Sequence, residues 1–313
     1  MLLSRLLCWA KNKYERSKMS VLVNSETRLL VQGITGEAAR HHTEAMIKYG
    51  TNIVAGMRPG SGGITVHGVP VYDTVAEAVE AKKTNASILF VPAKVMKQAA
   101  FEALDANIGL VVMVSEHVPL HDTMEITAKA EKLGAHVIGP NTPGLIAPSL
   151  RCKIGFVPSR YYMPGPVGVA SRSGTLTYEI VSRLTLAGIG QTTCVGVGGD
   201  PIVGTTFSKL ARLFEADPNT KAILLIGEVG GSMEEEVAEL VQKGEITKPV
   251  TAYIAGRTAP KGKRMGHAGA IVAAGRGSIE SKLKAFETAN IPVAAVPNEV
   301  VELLNFPAGF RRP

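Results

Sequence analysis

Residues 28–39 read Arg28-Leu29-Leu30-Val31-Gln32-Gly33-Ile34-Thr35-Gly36-Glu37-Ala38-Ala39. An apolar run ends at a glycine turn and passes into a stretch of helical composition. Residues 28–34 are expected as a first strand and 36–49 as the helix that follows it. Such a turn lets backbone N–H groups and the helix N-terminus face an anion. At the end of a first strand it marks a Rossmann-like sheet. The spacing Gly33-x-x-Gly36-x-x-Ala39 falls short of the full dinucleotide fingerprint. The acid that would hold a ribose after the second strand is missing too: Met57-Arg58-Pro59-Gly60-Ser61-Gly62-Gly63 is basic and glycine-rich. These residues favour a phosphate-bearing ligand over a bare ribose diol. The plain alternative is a tight turn with no ligand, which α/β folds need in any case.

The alternation continues outward from this turn. Strands are expected at 52–57, 87–91, 110–115 and 137–139, separated by helices at 74–83, 94–106 and 122–133. Short apolar runs spaced by helices mean βαβ units and a mostly parallel sheet, with right-handed crossovers placing helices on both faces. Residues 143–166 interrupt the rhythm with Pro143, Pro148, Pro158, Pro164 and Pro166, so the interdomain connection is placed there. A second series follows. Its strands are expected at 167–171, 192–198, 222–226, 249–254 and 292–296, and its helices at 175–187, 205–214, 233–242 and 279–289. The expected organisation is an extension at 1–19, a Rossmann-like domain at 20–147, a linker at 148–166 and a second α/β domain at 167–313.

Composition sets the bounds. A chain of 313 residues is long for one core, which supports two domains. The hydrophobic fraction of 45% against 19% charged residues argues against disorder. No apolar run is long enough to span a bilayer. Lys plus Arg exceed Asp plus Glu by 34 to 27, but Arg5, Lys11, Lys13, Arg16 and Lys18 account for much of the surplus, so nucleic acid is not implied. Cys8, Cys152 and Cys194 form neither a disulfide framework nor a metal-ligand spacing, and a reducing, cytoplasmic setting is expected. Residues 1–18 mix apolar and basic side chains. They are read as a disposable extension, with a mitochondrial targeting segment as the alternative.

Four segments carry chemistry. His267 lies in Gly266-His267-Ala268-Gly269-Ala270, just after the basic loop Arg257-Thr258-Ala259-Pro260-Lys261-Gly262-Lys263-Arg264. Flanking glycines leave its imidazole open to approach, and neutral imidazole can carry a covalent group between half-reactions. A histidine in a surface turn is the bland reading of equal weight. Glu228, in Gly227-Glu228-Val229-Gly230-Gly231, falls at the carboxyl end of a buried-type strand and can orient a histidine, or cap the next helix. Ser171-Arg172-Ser173-Gly174-Thr175 opens a helix with small hydroxyl residues, suited to hold a phosphate or to serve as an ordinary cap. The glycine turn at Thr35–Gly36 is the fourth. Glu234-Glu235-Glu236 is expected as a solvated helix face. His41, His42, His67, His117, His121 and His136 lack ligand spacing, and no metal site is expected.

Taken in order, Gly139-Pro140-Asn141, residues 171–179, Gly198-Gly199-Asp200-Pro201, residues 227–231 and residues 256–270 resemble the α subunit of succinate–CoA ligase, from about Met19 to the C-terminus. The resemblance implies a CoA-binding Rossmann-like domain followed by a flavodoxin-like ligase domain. It implies that His267 is a phosphohistidine and Glu228 the acid that contacts it. Ser171, Ser173 and Gly174 would face the phosphate, and Tyr178 would bind the acid substrate. Thr35, Gly36, Glu37 and Ala38, then Ser61, then Val114, Ser115 and Glu116 would contact CoA. A β partner with an ATP-grasp domain, in an αβ or α2β2 assembly, would supply ATP or GTP and Mg²⁺. This chain itself has no P-loop motif. No nucleic-acid or membrane partner is implied.

The CoA loops depart from the family pattern. Glu37, Ala38 and Ala39 stand where a basic or amide-bearing pair and a glycine are usual, and Ser61 stands where a lysine is usual. A lost cation and an added carboxylate weaken phosphate binding, and Arg40 and Arg58 are the candidates to compensate. Malate–CoA ligase α subunits share the same motifs, so malate is the alternative acid. A non-catalytic relative and a nicotinamide-dependent oxidoreductase are the other readings.

Overall fold

The computed structural model describes residues 19–256, 267–270 and 277–304. The extension at 1–18 and the whole basic loop before His267 lie outside them. In the first half, β1 (Leu29–Gln32) runs into α1 (Glu37–Tyr49), β2 (Ile53–Met57), the hairpin β3 (Thr65–Val66) and β4 (Val69–Tyr72), α2 (Val75–Lys82), β5 (Ala86–Leu89), α3 (Met96–Asp105), β6 (Leu110–Met113), α4 (Leu120–Leu133) and β7 (His136–Ile138). The sheet order is β3-β4-β2-β1-β5-β6-β7. Apart from the β3–β4 pair its ladders are parallel. The order reverses at β1 and β5, so the ligand-binding crevice of such a sheet opens beside the turn after β1. All four β1 residues are buried, as covered parallel strands require.

The second half contains β8 (Gly144–Ala147), β9 (Cys152–Gly155), β10 (Pro164–Ser171), α5 (Gly174–Leu186), β11 (Gln191–Gly196), α6 (Phe207–Ala216), β12 (Ala222–Glu228), α7 (Met233–Gln242), β13 (Val250–Ala255), α8 (Ile279–Thr288), β14 (Val293–Ala294) and α9 (Glu299–Leu303). Its sheet runs β14-β13-β12-β10-β11-β8-β9, with β8 and β9 antiparallel to their neighbours.

The proline-rich stretch is therefore not simply a connection. The 147/148 boundary falls inside the β8–β9 hairpin, both of whose strands belong to the second sheet. The hairpin closes because Gly144 and Gly155 lie face to face with positive φ. A Cβ on Gly144 would sit 1.9 Å from the Ile154 carbonyl oxygen. The prolines flank the paired residues, and Pro164 takes the first position of β10, where a missing N–H is tolerated. The halves share one core. Met46 of α1 accepts from the Gly155 N–H at 3.3 Å, and the Thr51 hydroxyl and Lys153 backbone exchange hydrogen bonds of 2.8 and 2.9 Å. Ser20 meets the Thr193 hydroxyl of β11.

Candidate active site

β12 ends on Glu228 at the carboxyl edge of the second sheet, the edge where ligands bind in open parallel sheets. Glu228 is 7% exposed, and its Oε2 lies 2.8 Å from His267 Nδ1. A carboxylate only accepts, so this contact places a proton on Nδ1 and leaves the Nε2 lone pair free. The hydrogen bond that Nδ1 donates to Glu228 raises the imidazole pKa above its ordinary value. Partial burial and the cation of Arg172 oppose that rise. The nucleophilic neutral ring is therefore gained as pH climbs through this raised pKa and lost below it.

The loop after β11 supports the ring. Gly269 donates to the Gly199 carbonyl at 2.9 Å, and Ala270 to that of His267 at 3.0 Å. Gly199 lies against the imidazole, with a built Cβ 2.4 Å from its Cγ and Cδ2. Beside it, Asp200 accepts from Asn141 Nδ2 at 3.0 Å. Burial raises the Asp200 pKa, partly offset by that hydrogen bond.

The turn into α5 enters the same site through Arg172, which reaches the Gly269 carbonyl at 3.2 Å. Ser173 is the N-cap and accepts from Leu176 N–H at 3.3 Å. Ser171, expected to face a phosphate, is buried. Its hydroxyl is used inside the turn, donating to the Ser173 carbonyl at 3.0 Å and accepting from Ser173 N–H at 3.2 Å. It shapes the turn and does not present its oxygen outward. Tyr178 is half-buried, and its hydroxyl lies 3.5 Å from where a Gly174 Cβ would stand. Burial raises the phenol pKa, which keeps its proton in place as a donor.

The acidic run on α7 is not a solvated face. Glu234 is fully buried, with its Oε1 accepting from the Glu228 N–H at 3.0 Å and its Oε2 2.5 Å from Lys282 Nζ. Burial raises its pKa against the pull of Lys282 and Arg172. Glu235 is 2.9 Å from the same lysine, and Glu236 accepts from Ser232 and Ser208. The run folds inward because Lys282 of α8 is itself buried and needs anionic partners. Sequence reading missed Arg172, Asp200 and Lys282. Arg172 stood inside a quoted motif, whereas a lysine on an amphipathic helix gives no sign of burial.

In the first domain, Thr35, Gly36, Glu37 and Ala38 form the turn after β1, and α1 starts at Gly36 without a side-chain cap. A Gly33 Cβ would strike the Phe90 carbonyl oxygen at 2.4 Å, and its φ is +76°, so only glycine suits this close approach. Two cavities meet at the turn. One of about 410 Å³ lies toward Met57 and Arg58. The other, about 440 Å³, lies toward His42, Val114, Ser115 and Phe156. Arg58 Nη1 donates to Thr35 Oγ1 at 2.7 Å, and Arg40 Nε to the Thr35 carbonyl at 3.0 Å. Both candidate cations thus attend the turn. The Ser61 and Gly62 N–H groups are both taken by Asp73 Oδ1 at 2.8 Å. Ser115 donates to the Val91 carbonyl at 2.5 Å, and Glu116 is exposed. A further recess, about 720 Å³, is an open groove along α3 that shares only Gln98 and Glu102 with the turn cavities. It holds none of the residues singled out above, and the turn cavities are the better ligand site.

Among the described residues no cluster of three or more His, Cys, Asp or Glu is placed to hold a metal ion, and no helix is long and apolar enough to cross a membrane.

Comparison with known proteins bears on both halves. The CoA binding domain model matches residues 24–117 and the CoA-ligase model residues 170–291. The chain is similar to succinate–CoA ligase [ADP-forming] subunit alpha 2 of Archaeoglobus fulgidus, 51% identical over 91% of this chain and 99% of that one. It is also similar to the alpha subunit of Methanothermobacter thermautotrophicus, 48% identical over 95% and 100%. Among solved structures it resembles ATP citrate lyase from Methanothrix soehngenii in complex with citrate and coenzyme A, with a TM-score of 0.82 and 26% identity. The match covers 91% of this chain and spans half of that longer one.

Proposed function

The chain belongs to the succinate–CoA ligase α-subunit family, and we propose that it joins succinate to coenzyme A, driven by ATP, through a phosphoryl group carried on His267. The observation that carries this reading is the Glu228–His267 pair at 2.8 Å, set at a sheet edge and tied to the start of α5.

In the ligase direction, Nε2 attacks the γ-phosphorus of ATP and ADP leaves. A succinate carboxylate oxygen then takes the phosphoryl group, giving succinyl phosphate and freeing the ring. The CoA thiol adds to the acyl carbon, phosphate leaves, and the thiol proton passes to it. Every step reverses. Glu228 orients the ring and steadies the imidazolium-like charge that develops on transfer. The N–H groups of Gly174 and Thr175 at the start of α5, which Ser173 caps, face the phosphoryl oxygens. Ser171 holds that turn in shape, and the Tyr178 hydroxyl contacts the acid. Phosphoryl transfer asks chiefly for positioning and charge stabilisation, which these residues supply.

The first domain binds CoA in the two cavities at the Thr35–Ala38 turn, with Ser61 and Val114, Ser115 and Glu116 along its path. A β subunit with an ATP-grasp domain holds the nucleotide and Mg²⁺ in an αβ or α2β2 assembly. The subunit designation of the relatives supports the partner. A cytoplasmic location is the matching assignment. Arg40 and Arg58 at the CoA turn argue against a non-catalytic relative. Arg58→Ala raises the KM for CoA about twofold to fivefold with little change in kcat, the scale of an exposed charged contact. Steady-state kinetics at fixed salt check it.

The direct test is the chain co-expressed with its β partner and given γ-labelled ATP. Acid-labile label forms on this chain, and succinate with CoA discharges it as labelled inorganic phosphate while unlabelled succinyl-CoA forms. Discharge by malate in place of succinate reassigns the acid. Discharge by neither removes the substrate class.

A further inference from the structure

Arg172 has no part in the transfer steps above, yet it is only 2% exposed and lies beside the reacting ring. Its fork spans three segments. Nη1 donates to the Gly230 carbonyl at 2.6 Å and Nη2 to the Gly269 carbonyl at 3.2 Å. Nη2 also lies 3.2 Å from Glu228 Oε1, and Nη1 3.8 Å from Glu234 Oε1. Glu228 and Glu234 are thus two buried carboxylates in one small volume, since Glu234 also accepts from the Glu228 N–H. Two carboxylates so placed repel each other unless a cation stands between them. Lys282 neutralises the far side of Glu234 at 2.5 Å. Arg172 is the described cation that touches Glu228.

We propose that Arg172 is a positioning residue for phosphoryl transfer: it holds the Glu228 carboxylate aimed at His267 Nδ1, and clasps the His267 turn to the start of the phosphate-facing helix. This rests on the reading of His267 as the phosphoryl carrier. A guanidinium suits the task because its donors are rigidly forked and always charged, which a lysine cannot match. Among the described residues, the groups facing His267 are Glu228 from β12, Arg172 from the turn before α5 and Asp200 from the loop after β11. Asp200 in turn faces Glu116 and His117 of the first domain.

The test is single-turnover labelling of the α–β complex with γ-labelled ATP across the pH range, for wild type, Arg172→Gln, Arg172→Lys, Glu228→Gln and the Arg172→Gln/Glu228→Gln double variant. Arg172→Gln slows labelling about 10- to 100-fold, the range seen when the partner orienting a functional histidine's support is removed. Its acid limb moves to lower pH, because the Glu228 hydrogen bond that raises the imidazole pKa is lost. Glu228→Gln moves the limb the same way, and the double variant moves it no further. Arg172→Lys keeps the charge without the fork and falls between wild type and Arg172→Gln.

A cation that merely stood nearby would act oppositely, since its removal alone raises the imidazole pKa. A limb shifted to higher pH, or labelling within about twofold of wild type, overturns the proposal. If Arg172→Gln does not assemble, Arg172→Met/Glu234→Gln removes one cation together with one anion and is read by the same two criteria. Wild type that takes no label at any pH overturns the phosphohistidine reading itself. Labelled wild type with unaltered Arg172 variants overturns only the positioning role.

Discussion

Replacing His267 with asparagine abolishes acid-labile labelling of this chain and lowers ligase turnover by at least ~10⁴-fold, the scale of removing an enzyme's nucleophile. The asparagine amide can still donate toward Glu228, which sits 2.8 Å from the native Nδ1. It has no counterpart to the Nε2 lone pair. The loss is chemical, so CoA binding at the first-domain turn is unchanged, and equilibrium titration of CoA checks that. The variant also has a pH signature in stability. His267 has a raised pKa in the folded chain. Its contribution is fully present below the unfolded imidazole pKa and fades as pH rises through the folded one. His267→Asn therefore melts below wild type in acid and converges with it in mild alkali. Label retained on the variant would take His267 out of the reaction.

Much of this architecture can be read from residue patterns, and the remainder fails for identifiable reasons. The β1 turn was legible because a buried apolar run followed by Gly33 and Gly36 has few other uses. The β12 strand with Glu228 at its end was legible because seven consecutive buried residues leave the carboxylate at the only chemically active position. The β3–β4 hairpin was missed. Its turn is His67-Gly68, both at positive φ, and histidine is a weak signal for a position that usually takes asparagine or aspartate. The β8–β9 hairpin was hidden by prolines that lie between and beside its strands. Glu234 and Lys282 were misread for a deeper reason. Helical spacing shows which residues share a face, but a charged residue on the inward face announces itself only through its partner. Here that partner lies 48 residues away. The two arginines expected beside the β1 turn could be named from sequence, but only the fold brings Arg40 and Arg58 to the same threonine.

Gly199→Ala should be nearly as damaging to phosphoryl transfer as loss of a supporting residue, although it adds a single methyl group far from any substrate carboxylate. Gly199 does not have a positive φ, so alanine is acceptable to the backbone there. The obstacle is steric. The new methyl would lie 2.4 Å from His267 Cγ and Cδ2 and 2.9 Å from its Cβ. These atoms are the root of the side chain, so a rotamer change cannot clear them all. The Gly269 N–H bond to the Gly199 carbonyl at 2.9 Å holds the two loops together, and Glu228 holds the far side of the ring. Relief therefore requires the His267 turn to retreat by about 1 Å, a displacement that costs about 100-fold in a positioned reaction. Overpacking of this kind also destabilises by about 1–3 kcal/mol, a fall of a few degrees in Tm for a chain this size. Gly109→Ala is the matched control, because its methyl meets nothing nearer than the Asn85 carbonyl oxygen at 3.9 Å. The measurement is the single-turnover labelling rate of both variants beside their melting curves. A Gly199→Ala chain that labels at the wild-type rate would mean that the ring does not react from the position in which Glu228 and the loop after β11 hold it.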